Sequence, residues 1–237
     1  MIEQALRLAT WNIHMGIGRD GTRDLQRTAG VISRMKVDLI GLQEVDNHSR
    51  AAGDDLDLLG SLTGFTVIPG PTMLKETGDY GNALLTKLPL LDVRRYDISY
   101  RDYEPRGLLL ADLDWQGERV RAAVTHLGLR PAERRYQVKK VITHLSGSET
   151  TPLFLMGDFN EWLLWGRPLR WLQRHFGRLR SPATFPARWP LLCLDQILAE
   201  PRHRLHAKQV CRDSQAALAS DHLPLQACFA RGAKRSV

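Results

Sequence analysis

The chain has 237 residues, 43% of them hydrophobic and 25% charged, an ordinary globular composition that excludes disordered and collagen-like classes. Its 33 Lys and Arg against 26 Asp and Glu give a net charge of +7. That balance suits polyanions such as nucleic acid, anionic lipid head groups or inositol phosphates, and equally a mildly basic surface with no such partner. Cys193, Cys211 and Cys228 are an odd set without metal-ligand spacing and read as reduced core thiols. The N-terminus shows no basic region leading into an apolar stretch, and no apolar run is long enough to span a bilayer. The expectation is a cytoplasmic monomer with at most peripheral membrane contact.

In chain order, Leu6 to Met15 reads as a strand, Asp24 to Lys36 as a helix with Leu25, Ala29, Ile32 and Met35 on one face, and Val37 to Val45 as a second strand. Asp54 to Leu62 reads as a helix stopped by Gly64. Strand-like runs follow at Phe65–Ile68, Asn82–Leu85 and Leu91–Ile98, and a hairpin at Leu108–Leu113 and Arg119–His126 around Asp114-Trp115-Gln116-Gly117. Pro131 opens a helix to about Leu145, Leu153–Met156 is a buried strand, Leu169–Phe176 a short helix, and Leu192–Leu198 and Leu223–Phe229 are the last strands. Helix–strand alternation followed by hairpins predicts an α/β fold with mixed sheets in one domain over 1–230. Residues 231–237 read as a short, basic, disordered tail.

Short polar motifs close many of these apolar runs: Thr10-Trp11-Asn12-Ile13-His14, Gln43-Glu44-Val45-Asp46, Thr125-His126-Leu127, Gly157-Asp158-Phe159-Asn160, Leu194-Asp195-Gln196-Ile197 and Ser220-Asp221-His222. Carboxylates, amides and imidazoles at the ends of buried strands are costly unless they pair or bind something. Gathered together they would make a metal-dependent active site. Glu44, Asn12 and Asp221 supply the oxygens a hard cation such as Mg²⁺ takes; singly, Glu44 is equally a salt bridge or cap and Asn12 a turn amide. Asp158 and Asn160 fit a water-activating carboxylate and a phosphoryl-oxygen donor, or else a tight Asx turn. Asp195 beside His222 would fix the imidazole's tautomer and favour its charged form, and His126 is a second candidate imidazole. Arg106, entering a strand between Pro105 and Gly107, is a phosphate clamp or an ion pair. Thr184-Phe185-Pro186 and Trp189-Pro190 form a stiff aromatic loop that shapes a pocket or covers the core.

In order and content these motifs, with Gly81-Asn82-Ala83-Leu84-Leu85-Thr86, resemble the endonuclease/exonuclease/phosphatase superfamily of Mg²⁺-dependent phosphodiesterases, over nearly the whole chain. His126-Leu127-Gly128-Leu129-Arg130 and the loop from Thr184 to Asp195 are similar to an uncharacterised bacterial branch. The resemblance implies a deoxyribonuclease I-like four-layer sandwich: two packed mixed β-sheets flanked by α-helices. It implies that Asn12 and Glu44, assisted by Asp221, hold Mg²⁺, with Mn²⁺ as substitute. It implies that Asp158 orients the attacking water, that Asn160 and His126 contact phosphate, and that Asp195 supports His222. Asn82 and Arg106 are the expected substrate-binding residues.

The expected activity is hydrolysis of a phospholipid or small phosphodiester by in-line attack of water. A DNA or RNA endonuclease or exonuclease is the alternative within the fold, and a catalytically silent phospholipid-binding module the alternative outside catalysis. A nuclease needs a basic groove with stacking aromatics, which the six tryptophans could supply; Trp162 and Trp165 equally suit a lipid interface. No long DNA-gripping insertion is visible.

Overall fold

The computed structural model describes residues 5–51, 53–147, 151–163, 165–177 and 181–232. In chain order the elements are β1 (Leu6–Asn12), α1 (Leu25–Met35), β2 (Leu39–Arg50), β3 (Gly53–Asp54), α2 (Asp55–Thr63), β4 (Thr66–Lys75), β5 (Gly78–Thr86), β6 (Leu90–Asp97), β7 (Gly107–Trp115), β8 (Glu118–His126), α3 (Pro131–Leu145), β9 (Leu153–Asp158), α4 (Arg167–Phe176), β10 (Asp195–Glu200), β11 (Leu205–Val210), α5 (Ser214–Ala219) and β12 (Leu225–Phe229).

The helix boundaries follow local chemistry. The Asp24 carboxylate accepts the Arg27 N–H at 2.9 Å and starts α1, which Lys36 ends in a left-handed conformation. Gly64, at φ 71°, ends α2. Other expectations need correction. The first strand stops at Asn12 rather than Met15, because His14 and Met15 take positive φ. The runs at 65–68 and 82–85 are parts of one long hairpin, β4–β5; Pro69, Gly70 and Pro71 masked β4, and the sheet tolerates them because β4 is an edge strand. Three elements had no signal: the two-residue β3, the half-exposed edge strand β11, and the six-residue α5.

Seven strands form one sheet in the order β11-β12-β1-β2-β5-β4, with β3 beside β2, and five form the other in the order β10-β9-β8-β7-β6. Both are mixed: β1–β2 and β8–β9 pair in parallel, the remaining neighbours antiparallel. Leu8, Leu39, Leu84, Leu109, Val124, Phe154, Met156, Ile197 and Phe229 fill the space between the sheets. Trp11, Ile40 and Leu42 pack outward under α1, α2 and α5, and Leu110, Leu155 and Leu198 pack outward under α3 and α4. The result is helix, sheet, sheet, helix. Gly41 sets the closeness of the sheets, since a Cβ there would lie 2.9 Å from Val124 of the facing sheet.

Period-2 alternation carries each inward-facing row to the same end of the sandwich. Leu8 and Thr10 lead to Asn12, Leu39 and Gly41 to Gln43, Val124 to His126, Met156 to Asp158, and Ile197 back to Asp195. The polar residues therefore continue the apolar rows between the sheets, at one open end.

Candidate active site

Asp158 stands at the centre. Its Oδ2 accepts a hydrogen bond from Asn12 Nδ2 at 3.2 Å and lies 3.5 Å from His126 Nε2 and 3.7 Å from His222 Nε2. Its Oδ1 accepts the Asn160 N–H at 2.9 Å, so the Asx turn forms and itself positions Asn160, whose φ is 48°. The Asn160 amide donates to the Leu127 carbonyl at 2.9 Å and touches His126 Nε2 at 3.0 Å. Burial, and then the neighbouring Asp195, raise the Asp158 carboxyl to about 6 against the pull of His222.

Glu44 reaches this group by a device that alternation does not foresee. Following Ile40 and Leu42, it would face the outer helices. A bulge between Leu42 and Val45 and a left-handed backbone at Glu44, φ 54°, turn it toward Asn12, whose Nδ2 donates to Glu44 Oε1 at 2.9 Å. Asn12 Oδ1 accepts the His14 N–H at 3.0 Å.

His222 and Asp195 form a buried pair, Nδ1 to Oδ2 at 2.8 Å, and the same oxygen accepts the Thr184 hydroxyl at 2.6 Å. Burial opposes charge on His222, but Asp195, Asp158 and Asp221 outweigh it and raise the imidazole to about 10. His126 goes the other way. Burial, the Arg106 guanidinium and His222 hold it well below the usual imidazole range, so it is neutral. Arg106 Nη1 lies 3.1 Å from His126 Nδ1, while Asn160 Nδ2 at 3.0 Å and Asp158 Oδ2 at 3.5 Å both face Nε2, so a donor stands at each ring nitrogen and a carboxylate beside the second.

The other expected residues lie close by. Arg106 is buried, with both terminal nitrogens on the Glu104 carboxylate at 2.9 and 3.2 Å. Asn82 donates to the Gly107 carbonyl at 3.2 Å and leaves Oδ1 buried without a partner, in a crevice shared with Thr72, Tyr80, Arg106 and His126. Asp221 is half-buried; its carbonyl accepts the Ala187 N–H at 2.6 Å and its Oδ1 lies 3.4 Å from the Ser220 hydroxyl. Ser220 Oγ donates to the Asn12 carbonyl at 2.7 Å, and Trp11 Nε1 donates to the His222 carbonyl at 2.9 Å. Asn12, Glu44, His126, Asp158, Asn160, Asp195 and His222 thus converge, with Asp221, Arg106 and Asn82 at the margin.

Sequence reasoning passed over Tyr80, Glu104, Arg134 and Glu161. Tyr80 was accessible to it, being two residues before Asn82 on the same strand. Arg134 and Glu161 are a buried pair, at 3.2 Å, whose arginine also donates to the Gly128 and Leu129 carbonyls; it fastens the loop after His126 to the loop after Asn160.

Among the described residues one group of three ligand-type side chains gathers, and Glu44 stands beside it. Asp158, Asp195 and His222 offer one atom each within 4.8 Å of one another. There the Asp195–His222 hydrogen bond already engages two of them, and a charged imidazole repels a cation. Glu44 is the better anchor: it accepts an amide proton, and the basic group within 4.0 Å among the described residues is the neutral His126. A carboxylate without a counter-charge beside Asn12 fits a hard divalent cation. Size does not mark this cleft, for a crevice of about 890 Å³ lined by Arg7, Trp115 and Cys228 lies at the other end of the sheets.

The cysteines are unpaired and half-buried rather than core residues. Arg231, placed by sequence in a loose tail, hydrogen bonds to Gln116 at 2.8 and 2.9 Å; residues 233–237 lie outside the described residues. Among the described residues no helix is long and apolar enough to cross a membrane.

Comparison with known proteins agrees with this architecture. The chain is 28% identical over 251 residues to the uncharacterized protein YbhP of Escherichia coli, covering 94% of this chain and 95% of that one. A crystal structure of an endonuclease/exonuclease/phosphatase from Beutenbergia cavernae superposes with a TM-score of 0.77 at 21% identity, over 98% of this chain and 73% of that one. A mannosyl-6-phosphatase from Bacteroides thetaiotaomicron superposes with a TM-score of 0.71 at 15% identity, over 94% and 98% of the two chains. At such identities the structures share the deoxyribonuclease I-like fold. The model of the Endonuclease/Exonuclease/phosphatase family matches residues 9–222, from the strand that delivers Asn12 to the imidazole of His222, and the chain belongs to that family.

Proposed function

We propose that the protein is a Mg²⁺-dependent phosphodiester hydrolase in which water attacks phosphorus in line. The observation that carries this reading is the surround of Asp158: one buried carboxylate, raised to about 6, within 3.7 Å of an amide, a neutral imidazole and a charged one.

Asn12 and Glu44, with Asp221 at the margin, would hold the metal, which supplies positive charge to the phosphoryl oxygens. Asp158 is ionised at neutral pH yet more basic than an ordinary aspartate, and accepts the proton of the attacking water. His126 and the Asn160 amide contact the non-bridging oxygens. His222, charged and held by Asp195, stabilises or protonates the leaving oxygen. Burial and then Arg106 keep His126 neutral. Asn82, with an unpartnered oxygen, and Arg106 form the wall against which the substrate rests. The substrate class is a phospholipid or small phosphodiester.

The test is Mg²⁺-dependent turnover of bis(p-nitrophenyl) phosphate. Asp158→Ala and His222→Ala each lower it by about 10²-fold or more while the proteins stay folded by circular dichroism. Excess chelator abolishes it in the wild type. Undiminished turnover in either folded variant, or in chelator, refutes the assignment. A parallel panel of plasmid DNA, RNA and phospholipid substrates separates the nuclease reading from the lipid one.

A further inference from the structure

The exposed apolar side chains are unevenly placed. Trp162, Leu163 and Trp165 follow Asp158 and Asn160 on the loop from β9, and are 46%, 37% and 72% exposed. Trp189 and Leu191, 70% and 78% exposed, precede Asp195 on the loop into β10. Because Asp158 and Asp195 pair across antiparallel strands, both loops leave the sandwich at the site. Leu129, 60% exposed, is three residues beyond His126 on a third such loop. These loops are braced. Arg134 joins the Leu129 carbonyl to Glu161, its guanidinium stacks 4.8 Å from the Trp162 ring, the Ala187 N–H holds the Asp221 carbonyl, and Phe185 packs 4.8 Å from His222. Firmly held apolar side chains facing water around a polar cleft mark a contact surface.

Charge identifies the partner. Arg167 follows Trp165 by two residues and Arg188 adjoins Trp189, while the acid between Phe159 and Leu194 is Glu161 alone. Glu161 is buried against Arg134, whereas Arg167, Arg170, Arg174 and Arg188 are exposed. The buried face of α4, Leu169, Leu172 and Phe176, is committed to the core; the helix opens two residues after Trp165 and runs away from the site, its end at His175 and Phe176 meeting Leu153 and Glu200, so Arg167 and then Arg170 are the arginines it presents nearest the rim. Tryptophan and leucine beside outward arginine is the chemistry of an anionic bilayer surface: rings and aliphatic chains enter the interface while guanidinium groups meet phosphate. Nucleic acid would use the tryptophans and arginines but has no place for Leu129, Leu163 and Leu191, which cannot stack on a base.

We propose that this rim docks the protein onto an anionic phospholipid surface, setting the Asp158–His222 cleft against the head groups. The proposal deepens the phosphodiesterase reading by naming a substrate at a lipid–water interface.

The experiment uses the full chain with vesicles of phosphatidylcholine alone or with roughly 30 mol% phosphatidylglycerol. The protein is expected to sediment with the anionic vesicles, to be quenched by brominated lipid, and to be released by salt. Trp165→Ala combined with Trp189→Ala should weaken vesicle binding by about tenfold or more while turnover of bis(p-nitrophenyl) phosphate is unchanged. A protein that turns over the soluble substrate but binds neither vesicle overturns the docking claim and leaves the hydrolase standing. So does vesicle binding indifferent to the double variant, or a single-stranded oligonucleotide that binds more tightly than vesicles and loses affinity in that variant. Vesicle binding without turnover refutes the hydrolase and leaves the docking surface.

Discussion

Glu44 costs the fold something to place. A left-handed backbone at a residue with a Cβ is unfavourable by about 1–2 kcal/mol, and the hydrogen bond from the Ile13 N–H to the Gln43 carbonyl, 3.0 Å, helps to hold the bulge. His222 also works against burial, and its balance is testable. Its folded pKa of about 10 exceeds the ordinary 6.5, so its charged form stabilises the fold fully below pH 6.5, and that contribution disappears as pH rises toward 10. In metal-free protein, melting temperature should therefore decline across that window, and His222→Gln should flatten the decline; parallel curves for the two proteins would contradict this. Thr184→Val removes one of two donors to Asp195 Oδ2. It should reduce turnover several-fold with little change in melting temperature, since Asp195 keeps His222 but loses its fixed orientation. Glu44, Asp195 and His222 were legible in the sequence because each belongs to a polar motif at the end of an apolar run, whereas Thr184 read only as part of a stiff loop. Their aim was not: nothing in Gln43-Glu44-Val45 announces a bulge, and of the two readings of Arg106, phosphate clamp or ion pair, the structure shows a buried ion pair with Glu104 beside His126.

Secondary structure was most legible where apolar periodicity and end signals agree, as in α1, α3 and the β7–β8 hairpin. It was least legible at sheet edges, where β4 contains two prolines and β11 has little to bury. The Gly-Asp motif has a steric reason that only pairing reveals. Gly157 adopts φ 155°, and a Cβ there would lie 1.8 Å from the Thr125 carbonyl oxygen on β8. Gly157→Ala should prevent β9 from seating beside β8 and yield little soluble protein. Gly21→Ala, at φ 74° with nothing within 4 Å of its Cβ, is the control and should cost about 1 kcal/mol. Equal melting temperatures for the two would disprove the steric account.

Across the whole molecule the two sheets meet on an apolar interior whose aromatic centre is Phe154 against Phe229, ring centroids 4.7 Å apart and nearly perpendicular. Phe154→Ala should destabilise the protein by about 3–5 kcal/mol in denaturant unfolding, through lost burial and the cavity left behind. A cost below about 1 kcal/mol would mean the sheets collapse around the gap.

Asp195 belongs to the five-stranded sheet, while the segment bearing His222 is tied to the seven-stranded one through Trp11 and the Asn12 carbonyl. The 2.8 Å contact between carboxylate and imidazole is therefore a gauge of how the halves of the molecule are seated. Small slippage between them would silence hydrolysis while every strand kept its neighbours, so inactivation on warming should precede the loss of β-structure.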